Sequence, residues 1–189
     1  NHFTHTARRN VDLTYIVMNN QIYGLTTGQI SPTSTVGMKT KSTPHGSIEL
    51  PFNPIASAIT AGATWVARGY TGNVKQLVSL IKAGIEHKGF SLLDVFSPCV
   101  TFNKVNTYQF FRPRVQPLDD IEHDSSDWKQ GIEKAMVWGD VIHTGVFFET
   151  NSRLTLEEQE PVLDEGGPLA HRELGLTTEQ TERIVSRMM

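Results

Sequence analysis

The sequence contains one cysteine, Cys99, so no internal disulfide framework can form. A reducing compartment, the cytoplasm, is therefore the expected setting. It has no run of about 18 apolar residues, and no membrane-spanning helix is expected. There is no excess of positive charge. The formal net charge of −3 removes the electrostatic footprint of a general nucleic-acid binder. There is no internal repeat, and no Ser-His-Asp arrangement can be argued from residue order. What remains is ordinary for a globular protein: 38% hydrophobic and 20% charged residues over 189 positions. That length suffices for a real core in one domain, with room for an appendage.

Three compact apolar runs have strand length and are rich in β-branched or aromatic residues: V-D-L-T-Y-I-V-M (11–18), A-T-W-V-A-R (63–68) and F-S-L-L-D-V-F (90–96). The first is nearly continuous, the pattern of a strand covered on both faces. Helical patterns lie between them. Asn53-Pro54 opens one, with Pro at the first helical position. Val74, Leu77, Val78, Ile81 and Ile85 mark a second, with Asn73 as N-cap and Gly89 just past the end. Alternating strands and helices predict an α/β domain with a parallel sheet. Further on, Tyr108, Phe110 and Phe111 before Pro113 and Pro117 predict an extended crossing segment. Asp127 or Ser126 is expected to cap a short helix, 144–150 to form a strand, and Thr178 to Met188 a last helix. The charged tail, 151–189, has too few apolar residues for its own core.

Residues 24–53 interrupt the alternation. They are rich in Gly, Ser, Thr and Pro, and loops this long are usually disordered or functional. This one leaves the C-terminal end of a predicted parallel strand, where open α/β sheets bind ligands, which favours function. Immediately before it stands V-M-N-N-Q-I-Y-G-L (17–25). A side-chain amide oxygen at a strand end can ligate Mg²⁺, and the Ile22 carbonyl can add a second oxygen. The same Asn-Asn pair is also an ordinary turn signal. Cys99, in S-P-C-V-T-F-N, taken alone reads as a small buried hydrophobe. Lys39, Lys41 and His45 are either an anion-binding group or a solvated loop face. His2 and His5 share a helix face, but no third metal ligand is suggested.

V-M-N-N-Q-I-Y-G-L-T-T-G-Q-I-S-P-T-S, K-T-K-S-T-P-H-G and S-P-C-V-T-F-N, in this order and spacing, resemble the β subunit of the 2-oxoacid:ferredoxin oxidoreductases, which are thiamine-diphosphate enzymes. The resemblance covers residues 1 to about 150, and the K-T-K-x-T-P form is closer to the 2-oxoglutarate branch. It implies a thiamine-diphosphate-binding fold over 1–113 and a C-terminal extension over 114–189 suited to contact between subunits. It implies Mg²⁺ on the cofactor diphosphate, with Asn20 as side-chain ligand and Ile22 as carbonyl ligand. Tyr23, Gly24, Leu25 and Thr26 would pass close to the cofactor, with Leu25 beside the thiazolium. Thr27 stands where many relatives carry Lys. Cys99 would be the fourth thiolate of a 4Fe-4S cluster, which needs about four. The implied activity is oxidative decarboxylation of a 2-oxoacid to an acyl-coenzyme A, with ferredoxin as electron acceptor and the pocket completed by an α subunit. No side chain need be a general base, because the cofactor's aminopyrimidine can serve.

Two expected parts are not in this sequence: the family's G-D-G motif and three further cysteines. N-H-F-T-H-T-A-R-R-N reads as the last turns of a helix, with Phe3 and Ala7 four apart and cations at its end. It resembles the helix that follows G-D-G-D in the family. The expectation is an N-terminally truncated subunit with half of the Mg²⁺ shell. Two rival readings follow from the same gaps: another thiamine-diphosphate decarboxylase or synthase, and a non-catalytic partner-binding fragment. Cys99 in its motif argues against the first.

Overall fold

The structure, a computed structural model, describes residues 2–25, 28–164, 169–172 and 175–188. It divides into two compact units, Asn1–Leu156 and Glu157–Met189. The first unit is α/β. Helix α1 (His2–Arg9) leads into β1 (Leu13–Asn19), followed by α2 (Pro54–Ala61), β2 (Trp65–Tyr70), α3 (Val74–Glu86) and β3 (Phe90–Phe96). Then come α4 (Tyr108–Phe111), β4 (Val115–Pro117), α5 (Trp128–Met136) and β5 (Ile142–Glu149). The sheet order is β1-β3-β2-β5-β4. The first three strands are mutually parallel, β5 runs antiparallel to β2, and β4 runs parallel to β5.

The helix starts follow from local chemistry. Asn53 accepts from the Ala56 N–H at 3.1 Å and Asn73 from the Gln76 N–H at 3.2 Å, each satisfying an orphan donor of the first turn. Asp127 rather than Ser126 caps α5, accepting from Lys129 N–H at 2.8 Å. β3 is buried along its whole length, and its two faces serve two cores. Phe90 and Leu92 join Val66, Ile55, Ile59 and Phe147 beneath α1, α2 and α5. Leu93 and Val95 join Trp65, Ala67 and Leu80 beneath α3.

Two expectations are corrected. β1 is not covered on both faces: it is the sheet edge, and Leu13, Tyr15, Ile16 and Met18 are all exposed. A continuous apolar run shows that a strand can be buried, not that neighbours lie against it. Residues 108–111 form a one-turn helix where an extended segment was expected, because Thr107 accepts from the Phe110 N–H and caps it. β4 and β5 add to the same sheet as β1–β3.

In the second unit, α6 (Leu156–Gln159) reaches across the boundary from Leu156. The unit itself contains α7 (Pro161–Asp164) and α8 (Thr178–Met188), whose described side chains are exposed or half-buried. Among the described residues no helix is long and apolar enough to cross a membrane.

Candidate functional site

Register brings the two chemistry-bearing motifs together. β1 and β3 are adjacent and parallel, with Asn19 opposite Phe96, so their C-terminal ends emerge side by side. The Ser97 N–H donates to the Asn19 carbonyl at 3.0 Å. N-N-Q-I-Y-G leaves one strand and S-P-C-V-T-F-N the other.

The first motif forms a tight turn. Asn19 Oδ1 accepts from the Gln21 N–H at 3.2 Å, and Asn20 Oδ1 accepts from the Ile22 N–H at 3.1 Å. Gln21 has φ 56°, a left-handed conformation unusual for a long side chain and a recurrent feature of functional sites. The long loop fixes it. Gln21 Nε2 donates to the Thr33 carbonyl at 3.1 Å, and Ser34 Oγ donates to the Gln21 carbonyl at 2.7 Å. Residues 28–53 are therefore tied down: Gly37 N–H meets the Ser47 carbonyl at 2.7 Å and Phe52 N–H the Pro32 carbonyl at 2.7 Å. Lys39, Lys41 and His45 are exposed on this loop.

Beneath the turn lies a buried charge cluster that sequence reasoning missed. Asn19 Nδ2 donates to Asp94 Oδ1 at 2.9 Å, and Thr33 Oγ1 donates to Asn19 Oδ1 at 2.8 Å. Asp94 Oδ2 faces Arg68 Nε at 3.4 Å, and the guanidinium sits 5.1 Å from the ring centres of both Phe96 and Phe147. Burial pushes the Asp94 carboxyl above its ordinary value, against the attraction of Arg68 and the Asn19 hydrogen bond. Burial likewise lowers the Arg68 guanidinium, against Asp94. An Asp in F-S-L-L-D-V-F and an Arg in A-T-W-V-A-R, each inside an apolar strand, were the available signal: charges there are buried only when paired.

The turn opens into a cleft of about 900 Å³ lined by Tyr15, Met18, Asn19, Asn20, Ile22, Tyr23, Gly24, Leu25 and Phe52. This is the size of sites that bury a cofactor. Tyr23 is 55% exposed and Leu25 fully exposed, so two large apolar side chains stand uncovered at its mouth. Thr26, expected in the same group, and Thr27 lie outside the described residues. Cys99 is half-buried, and a Cβ on Gly24 would meet its Sγ at 3.3 Å and Phe102 at 3.3 Å. The Cys99 thiol thus lies close against the backbone of the candidate cofactor loop, and a side chain at position 24 would press on it and on Phe102.

The donor set matches a hard cation partly. Asn20 Oδ1 spends one lone pair on the Ile22 N–H and keeps another. Among the described residues no donor is recorded on the Ile22 carbonyl. Two oxygens suit Mg²⁺, which takes the rest from phosphates and water. Among the described residues no group of three or more His, Cys, Asp or Glu is placed to hold a metal, and Cys99 offers a single sulfur. His2 and His5 are exposed on α1 and are not among the residues lining the cleft, although Phe3 and Thr4 between them are.

An apolar sheet edge, an amide turn at its carboxyl end and a cofactor-sized cleft define a cofactor-binding α/β site. Residues 1–95 match the family described as "Thiamine pyrophosphate enzyme, C-terminal TPP binding domain". Residues 99–165 match the family of C-terminal regions of the pyruvate ferredoxin oxidoreductase β chain. The chain belongs to the thiamine-diphosphate enzymes and, within them, to the 2-oxoacid:ferredoxin oxidoreductase β-subunit family.

It is 44% identical over 168 residues to the 2-oxoacid:ferredoxin oxidoreductase subunit beta of Saccharolobus solfataricus, covering 84% of this chain and 55% of that relative. It is 52% identical over 122 residues to the 2-oxoglutarate synthase subunit KorB of Methanocaldococcus jannaschii, covering 65% of this chain and 43% of the relative. A solved structure, 2-oxoglutarate:ferredoxin oxidoreductase from Magnetococcus marinus with 2-oxoglutarate, coenzyme A and succinyl-CoA bound, superposes with a TM-score of 0.83 at 37% identity. The match covers 100% of this chain and 62% of that one. The chain thus spans about half the length of the relatives it matches.

Proposed function

We propose that this chain supplies the magnesium-and-diphosphate turn and one cluster thiolate to an enzyme that oxidatively decarboxylates a 2-oxoacid to an acyl-coenzyme A and passes electrons to ferredoxin. The reading favours 2-oxoglutarate. The names of the relatives and the K-T-K-S-T-P-H-G segment support that choice. The observation that carries the reading is the meeting of Cys99 with Gly24 at the mouth of the Asn20 cleft. One local site would then hold both the decarboxylation chemistry and the exit for electrons.

Thiamine diphosphate, when bound, supplies the electron sink that takes up the carbanion left by departing CO₂. The residues of this chain bind and orient. Asn20 Oδ1 and the Ile22 carbonyl are the protein oxygens offered to Mg²⁺. Tyr23, Gly24 and Leu25 form the adjoining wall, and the uncovered Leu25 would exclude water from the reacting end. Thr26 is proposed as a further cofactor contact. Cys99 Sγ is one thiolate of a 4Fe-4S cluster whose other three come from outside the described residues. Oxidation of the 2-oxoacid releases two electrons, which leave singly to two ferredoxins while the acyl group joins the coenzyme A sulfur. Lys39, Lys41 and His45 are offered to the anionic substrate or coenzyme. Residues 1–113 carry the cofactor contacts and 114–189 the contact with an α subunit. A reducing, cytoplasmic setting suits Cys99, whose sulfur is in no disulfide.

The test is 2-oxoglutarate- and coenzyme A-dependent reduction of ferredoxin by the native complex, with iron assayed on the same sample. Cys99→Ser should abolish reduction and lower the iron content. Absence of reduction with every 2-oxoacid tried, in a sample free of iron, would overturn the reading.

A further inference from the structure

We infer that Asn103 is a positioning residue for the Asn20–Ile22 turn, acting from the Cys99 segment. The inference rests on the reading that this turn holds the cofactor's metal. Asn103 is fully buried. Its Oδ1 accepts from the Val105 N–H at 3.0 Å and the Asn106 N–H at 2.9 Å, closing a local turn. Its own N–H donates to the Cys99 carbonyl at 2.8 Å. Its Nδ2 donates to the Asn20 main-chain carbonyl at 3.1 Å and lies 3.5 Å from Asn106 Oδ1.

That side chain does two separable things. The oxygen shapes its own loop, while the NH₂ reaches 83 residues back to the candidate metal turn. The Asn20 carbonyl belongs to the peptide that enters the left-handed Gln21. The orientation of this peptide sets where the Asn20 side chain and the Ile22 carbonyl go. Among the described residues no other donor is recorded on the Asn20 carbonyl. Partners that orient metal ligands typically change metal affinity by about 10–100-fold when removed.

Asn103→Asp separates the two roles. Either carboxyl oxygen still accepts from Val105 and Asn106, so the local turn persists. An ionised carboxylate cannot donate to the Asn20 carbonyl. Thiamine diphosphate is titrated with Mg²⁺ into the native complex at pH 7.5, read by calorimetry, with folding checked by circular dichroism. The dissociation constant should rise about tenfold or more in Asn103→Asp. Raising the Mg²⁺ concentration should recover part of that affinity, which a merely structural loss would not allow. Asn103→Ser keeps a hydroxyl acceptor for the turn but is too short to reach Asn20, and should weaken binding similarly. It also serves as the folded comparison should the aspartate variant unfold. Wild-type affinity in either folded variant would overturn the inference. Absence of cofactor binding by the wild type would instead overturn the reading on which it rests.

Discussion

Asn19 and Asp94 reach one another across neighbouring parallel strands, joined by a 2.9 Å hydrogen bond from Asn19 Nδ2 to Asp94 Oδ1. Asp94 lies opposite Val17, two residues before Asn19, so both side chains point to the same face of the sheet. Through this bond the last side chain of β1 is anchored on a buried carboxyl that is itself paired with Arg68.

Asp94→Ala strands the Arg68 charge, and loss of one partner of a buried pair costs about 3–5 kcal/mol. Urea denaturation should show that loss. Arg68→Met combined with Asp94→Leu should recover most of the stability, because a buried pair can be replaced by apolar groups at little net cost. Cofactor affinity should stay low in the double variant, since Asn19 still lacks its acceptor. Recovery of affinity along with stability would mean that Asp94 serves stability alone.

Gly131 tests the packing of α5 on the sheet. Gly→Ala inside a helix ordinarily stabilises by about 1 kcal/mol. Here a Cβ would stand 2.6 Å from the Phe147 carbonyl oxygen and 3.1 Å from Ile59 Cδ1. Gly131→Ala should therefore reverse the usual sign and cost roughly 1–3 kcal/mol as an overpacked contact. A denaturation midpoint at or above wild type would refute the packing.

The pH dependence of stability follows from two histidines. Burial lowers His87 below 6.5, against the pull of Glu149 and Asp12. Burial also lowers His143, helped by the nearby Lys134 cation. Between the folded and unfolded values the unfolded chain binds the proton and the native one does not, so stability rises with pH. The contribution is full above about pH 6.5 and is lost as pH falls through the depressed folded values. Thermal midpoints measured from pH 8 down to 5 should decline below about 6.5. His87→Gln should flatten part of that decline, and an unchanged slope would remove His87 from the account.

Much of the scaffold was legible because its signals are local. Asn53-Pro54 and Asn73 start helices by capping their own first turns, and F-S-L-L-D-V-F is a strand at the expected residues. The strand end at Asn19 was legible too, while the ligand roles of Asn20 and Ile22 rest on the family resemblance. The edge position of β1 was not legible, since it depends on which strands neighbour it. The one-turn helix at 108–111 is too short to show periodicity. The links Asp94–Asn19 and Asn103–Asn20 join residues 75 and 83 positions apart and leave no local pattern.

The most direct measurement is a calorimetric titration of thiamine diphosphate, with and without Mg²⁺, into the native complex carrying either wild-type chain or Asn20→Ala. The account predicts Mg²⁺-dependent binding by the wild type and at least about a tenfold loss for the variant, with its thermal midpoint nearly unchanged. Equal affinity for the two proteins would contradict it, because Asn20 would then be only the turn residue its sequence also allows.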